Sequence, residues 1–137
     1  MKHFEPNAAL PVNSNERKDL PLVRGVLDYF PAALAMVAEV SRVGNEQHNP
    51  GEKMHWARGK SSDHADCILR HLVDRGRFDK DGLRHTAKIA WRALALLQEE
   101  METAGWAPGR ASRFPGPEKK PSPEKSDPTD SSGYMKW

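Results

Sequence analysis

Apolar positions along this chain recur at spacings of three and four, and no stretch alternates convincingly between apolar and polar. The first periodic stretch, PAALAMVAEVSRV, opens on Pro31, a favoured residue of a first helical turn, and runs to the glycine at 44. It is apolar nearly all round, which predicts a central helix over 31–43. A second helix is predicted from Ser61 or Ser62, either of which can cap it, to Gly76. Its apolar stripe is Ala65, Ile68, Leu69 and Leu72, and its opposite stripe is Asp63, Asp66, Arg70 and Asp74. After the turn RFDKDG, a third and longest helix is predicted over 82–103, closed by Gly105. Its main stripe is Leu83, Ala87, Ala90, Leu94, Leu97 and Met101, and a second strip, Ile89, Ala93 and Leu96, implies burial on more than one side. A shorter helix over 21–29 precedes these. With no strand pattern, the predicted fold class is all-α, a small helical bundle.

The flanks differ in kind. Residues 1–20 are polar, with prolines at 6 and 11, and read as a flexible arm. Residues 107–137 hold six prolines and many Ser, Asp, Lys and Glu. Such a segment buries too little surface to offset its ordering entropy, so it reads as a disordered tail. Tyr134, Met135 and Trp137 are either a docking motif within it or incidental aromatics. The folded domain is therefore expected at 21–106. Between its first two long helices lies a polar loop, GNEQHNPGEKMHWARGK, and loops of that length often carry function.

Composition narrows the class. Hydrophobic residues make up 37% of the chain and mean hydropathy is −0.77, low enough that part of the chain is expected to stay unpacked. A formal net charge of +2 with mixed signs gives no nucleic-acid footprint. Cys67 is the only cysteine, so no internal disulfide forms and a reducing compartment is expected. No apolar run reaches about 18 residues, and the start lacks the apolar core of a signal peptide. A cytoplasmic protein, in a bacterial or phage-infected cell, is the expectation, with no membrane or nucleic-acid partner.

The candidate chemistry lies on the helices. Glu39 is the only acid of the first helix and sits among Ala32, Ala35, Met36 and Val43, where a carboxylate is costly unless paired with an arginine such as Arg42 or bound to metal. Asp63 and Asp66 fall in the first turns of the second helix, where the macrodipole favours acids and where Asp66, Arg70 and Asp74 also read as an ordinary ion-pair ladder. Three carboxylates from facing helices are how bundles build sites for hard divalent cations. His64, Cys67 and His71 share one flank, but their spacing is not that of a zinc site. His71 and His85 are candidates for bundle hydrogen bonds or for a phosphate contact. Lys53, His55, Trp56, Arg58 and Lys60 combine charge with an aromatic, suited to a triphosphate and a base, or to a solvated loop with Trp56 folded onto the core. Trp91 reads as core or interface. Neither a phosphate-binding glycine loop nor a dinucleotide fingerprint is present.

The segments EVSRVGN at 39–45, HW at 55–56, DHADCILRHL at 63–72 and FDKDGLRHTAKIAWRALALL at 78–97 resemble the N-terminal domain of phage and prophage dATP/dGTP diphosphohydrolases. That family is similar to MazG-like all-α nucleotide pyrophosphohydrolases, which use Mg²⁺ or Mn²⁺ on helix-borne carboxylates to release pyrophosphate. The resemblance implies a metal held by Glu39, Asp63 and Asp66. Asp63-x-x-Asp66 matches the second half of the family's acidic motif, whereas the first half has Arg42 where a second acid falls after Glu39. It further implies phosphate or base contacts from Lys53, Trp56, Arg58 and Arg70, and His71 or His85 as catalytic groups. The expected function is metal-dependent hydrolysis of a purine deoxynucleoside triphosphate by a homo-oligomer. The alternatives are a nucleotide- or protein-binding module without turnover, and a purely structural bundle.

Overall fold

The computed structural model describes residues 8–116; the expectations placed on 1–7 and 117–137, including the Tyr134–Trp137 motif, lie outside the described residues. Four α-helices dominate: α1 (Ser14–Lys18), α2 (Pro31–His48), α3 (His64–Val73) and α4 (His85–Thr103). A π-helical turn occupies Val23–Leu27, closed by the Asp28 N–H donating to the Val23 carbonyl at 2.8 Å. The all-α class holds, with one addition. Two two-residue strands, β1 (Trp56–Ala57) and β2 (Ser112–Arg113), pair in parallel with Trp56 opposite Ser112. Two residues leave no room for an alternating pattern, so periodicity could not reveal them.

The expected helix ends shift for local reasons. The first long helix continues through Gly44 to His48, because Gly44 takes helical geometry here at a cost of only about 1 kcal/mol. It stops one residue before Pro50, at Asn49. Asn45 then anchors the following loop: its amide donates to the Glu52 carbonyl (3.0 Å), and its Oδ1 accepts from the His55 N–H (3.3 Å). The second helix starts at His64 behind Asp63, not at a serine cap; Ser61 Oγ instead accepts from Arg92 (3.0 Å) and donates to Asp63 (2.9 Å). The third starts three residues later than its periodicity implies. Residues 79–82 form a tight turn in which the Asp79 N–H donates to Leu83 O (2.7 Å), with Gly82 at φ 84°. That left-handed conformation is one glycine adopts without strain.

α4 is the hub. It packs on α3 along one side and on α2 along another, and lies between them. The α2 contact holds the apolar core, Val40, Leu83 and Ala87, with Val43 and Trp91 against it. Residues 8–20 and 107–116, read from composition with the arm and the tail, lie against this body. Pro11 is buried, Asn13 caps α1, the Ala107 N–H donates to Ala8 O (3.1 Å), and β2 covers the 56–58 segment.

The apolar stripes do not all face inward. Leu69 is 62% exposed, and Leu94 and Leu97 are half exposed. The buried side of α3 is the flank His64, Cys67 and His71, and the buried positions of α4 include Lys88 and Arg92. The α3–α4 seam is therefore polar, because each charged group there finds a partner across it.

Candidate functional site

Contacts along the seam run from the N-terminus of α4 to its C-terminus. His71 and His85 face each other with 2.9 Å between their Nδ1 atoms. Asp79 Oδ2 lies 4.0 Å from the same His85 nitrogen. Lys88, fully buried, donates to Asp79 (2.8 Å) and to Asp81 (2.6 Å). Burial holds the His71 imidazole down to about 4, with the Lys88 charge adding to it, so this ring is neutral at neutral pH. Burial alone pushes the Asp79 carboxyl up, but the Lys88 hydrogen bond, the Lys80 N–H and the neighbouring positive charge together outweigh that and lower it. Next along, Arg92 donates to Ser61 Oγ (3.0 Å) and to His64 Nδ1 (3.1 Å). Because arginine only donates, His64 Nδ1 must accept, and its Nε2–H is left to donate to Glu99 (2.8 Å). Burial raises the Cys67 thiol above its usual range, which makes it a poor nucleophile.

On its other side α4 forms a cavity of about 360 Å³ with α2 and the 54–58 and 109–112 segments. Its walls include Val37, Ser41, Trp56, Arg58, Trp91 and Gln98. The Trp56 and Trp91 rings meet edge to face at 5.5 Å, and Trp91 is fixed by its indole N–H donating to Ser41 Oγ (2.9 Å). Arg58 lies 3.4 Å over the Trp56 ring and makes a two-pronged pair with Glu102 (3.0 and 2.6 Å). Burial pushes the Glu102 carboxyl up, and the Arg58 and Gln98 hydrogen bonds pull it further down, so it stays ionised. A smaller hollow shares both tryptophans and adds His48, Lys60, Ser61 and Arg92. An aromatic-walled cavity opening beside cationic and hydroxyl groups is chemically matched to a base with phosphates attached.

The expected site residues divide between these places. Trp56 and Arg58 do line the cavity, though Arg58 is committed to Glu102. Lys53 is exposed, and its carbonyl takes a hydrogen bond from His55 Nδ1. His71 and His85 meet, but in the closed seam and not in the cavity. Arg70 bonds Asp63 (2.8 Å) and the Cys67 sulfur (3.1 Å), and this guanidinium holds the Asp63 carboxyl down to about 2. Glu39 sits on α2 beside Arg42, while Asp63 and Asp66 are on α3 with α4 between the two helices. The three carboxylates are not brought together within one chain.

Among the described residues, the group whose ligand atoms do converge is His71, Asp79 and His85, all within 4.8 Å of one another. Asp79, Asp81 and Lys88 were not singled out from sequence. The available signal was the turn Asp79-Lys80-Asp81-Gly82, with His71 eight residues before it and His85 three residues after it. Gln98 and Ser41, polar groups on apolar helices, carried no signal of their own.

The family described as dATP/dGTP diphosphohydrolase, N-terminal, matches residues 13–107, which is most of the described fold. The chain belongs to this family. No curated protein and no solved structure matches. The matched span holds α1 to α4, both tryptophans of the cavity and the whole polar seam, and stops short of β2. No helix among the described residues is long and apolar enough by itself to cross a membrane.

Proposed function

We propose that the chain binds a purine deoxynucleoside triphosphate, dATP or dGTP, and hydrolyses it to the monophosphate and pyrophosphate. The observation that carries this reading is the tryptophan-walled cavity in a member of a family named for those substrates. The base stacks against Trp56 and Trp91, and the phosphates run past them towards the exposed Lys60 at the mouth of the adjoining hollow. A water oxygen bonds to the α-phosphorus, the bond from that phosphorus to the α–β bridging oxygen breaks, pyrophosphate leaves and a proton goes to solvent. The task of the protein is to position the chain of phosphates and to offset its charge.

Magnesium would supply further neutralisation of the phosphates when bound with them. The carboxylates suited to hold it are Asp63, ionised and hydrogen-bonded to Ser61 of the hollow, and Asp66, exposed on the next turn of α3; Glu39 does not converge with them among the described residues. One or two carboxylates plus phosphates is a usual magnesium set. A second copy of the chain would cover Leu94, Leu97 and Met36, which one chain leaves open.

The test is a panel of deoxy- and ribonucleoside triphosphates with Mg²⁺, read for both monophosphate and pyrophosphate. Pyrophosphate from dATP or dGTP, with KM raised by Trp56→Ala, is the expected result. Binding without turnover is the second reading, favoured by the incomplete acidic motif and the separation of Glu39 from Asp63. It predicts a nucleotide-induced rise in Tm with no pyrophosphate. Neither response to any nucleotide would refute both.

A further inference from the structure

The cluster at the closed end of the seam has no role in that reading. His71 comes from the last turn of α3, Asp79 from the tight turn and His85 from the first residue of α4, so three separate pieces of backbone deliver ligand atoms to one point. The geometry makes the point unusual: Asp79 and Asp81 share the Lys88 ammonium at 2.8 and 2.6 Å, and both imidazoles turn Nδ1 towards the same place, 2.9 Å apart.

We infer that His71, Asp79 and His85 form a binding site for a transition-metal dication, of the zinc or manganese class, that fastens the α3–α4 hairpin. The donor set is two imidazoles and one carboxylate, which suits borderline metals and not magnesium. In a tetrahedral zinc site, bond lengths near 2.0–2.1 Å place ligand atoms about 3.3 Å apart. The His71–His85 separation of 2.9 Å and the His85–Asp79 separation of 4.0 Å bracket that value, so small side-chain adjustments suffice. Lys88 does not block the site, because Asp81 remains its partner at 2.6 Å when Asp79 turns to an ion. His71 is 1% exposed and Lys88 wholly buried, so nucleotide cannot reach the ion; its task is to hold together the three pieces of backbone that supply its ligands. The inference is independent of the nucleotide reading.

The experiment uses the full chain, stripped with chelator and dialysed separately against Zn²⁺, Mn²⁺ and Mg²⁺. Bound metal after gel filtration and the shift in Tm are the readouts. A stoichiometric zinc or manganese ion is expected, raising Tm by roughly 10 °C at about 100-fold excess over Kd. Magnesium should give neither. His85→Gln should lose the ion, whereas Glu46→Gln, a change of surface carboxylate on α2, should keep it. Should His85→Gln not fold, the parent loaded with Co²⁺ must show the visible absorption of a nitrogen- and oxygen-ligated ion. No retained metal in the parent would mean that the cluster is only a salt-bridge network with a proton between the histidines. That result, retention unaffected by His85→Gln, or a Co²⁺ complex without such absorption would overturn the inference.

Discussion

Replacing Glu102 by Gln should be among the most damaging single changes that leave the chemistry of the cavity walls in place. The Arg58 side chain is only 7% exposed, and both its terminal nitrogens rest on Glu102. Its Nε contacts Ser112 Oγ at 3.2 Å, so β2 is held through the same guanidinium. The amide of Gln presents one acceptor where the carboxylate presents two, and turns a donor towards a cation. A buried charge that loses its partner costs about 3–5 kcal/mol, and the one acceptor retained puts the expectation near 3 kcal/mol. That is a large share of the ~5–15 kcal/mol available to an ordinary domain. Urea unfolding would read it as a fall in midpoint at unchanged slope. Arg58→Met removes the charge but keeps much of the stem that covers Trp56, so Arg58→Met combined with Glu102→Gln should be more stable than Glu102→Gln alone. A coupling of more than about 1.5 kcal/mol is expected for groups in direct contact. A destabilisation under about 0.5 kcal/mol, or additive single effects, would refute the account of the pair.

Gln98→Leu should weaken purine nucleotide binding by roughly 3- to 10-fold, measured by titration, and lower Tm through the lost hydrogen bond to Glu102. The Gln98 NH₂ is held on two obligate acceptors, Glu102 and the Ala107 carbonyl, which leaves its oxygen to accept from a base amino group. Acid should destabilise the fold: the Asp63 and Glu102 carboxyls are lowered in the folded state, so their contributions are present above the usual carboxylate range and are lost as pH falls through it, for Asp63 down to about 2. Thermal scans between pH 5 and pH 2 would show this, and a flat profile would contradict it. Leu94→Glu with Leu97→Glu should convert an oligomer to monomers in sedimentation at micromolar concentration, with helix content retained. A parent that sediments as a monomer would end that expectation.

The three long helices, their order and the family were readable from sequence, because period and breakers are local: Pro31, Gly76 and Gly105 mark boundaries wherever the chain goes, whereas α1 fell in the stretch read as an arm and 21–29 holds only the Val23–Leu27 turn. Which side of each helix is buried was not readable. The rule that leucines face inward placed Leu69 and Leu94 in the core, whereas the structure places His64, His71, Lys88 and Arg92 there. A charged residue goes inside only when its counterpart arrives from elsewhere in the chain, and Lys88 meets Asp79 and Asp81 through a turn whose shape the period does not encode. For the same reason Glu39, Asp63 and Asp66 looked like one site. Their helical spacing was right, but α4 intervenes between α2 and α3, and only tertiary packing decides that. Trp56 was singled out by its charged surroundings and lines the cavity; Trp91 lines it too but was read as core or interface, because it sits in an apolar run.

The polar seam also governs how the α3–α4 hairpin can be assembled. Two leucine faces can dock in neighbouring registers at similar energy, since dispersion contacts have no direction. Here a slide of one helical turn, about 5.4 Å, would part His71 from His85 and His64 from Glu99 and leave Arg92 without His64. Every wrong register thus exposes buried charges to one another without partners, and none of these losses is offset by better apolar contact. The hairpin behaves less like two surfaces in adhesion than like a key cut for one lock: weakly attracted to its alternatives, and held in a single alignment once the teeth engage.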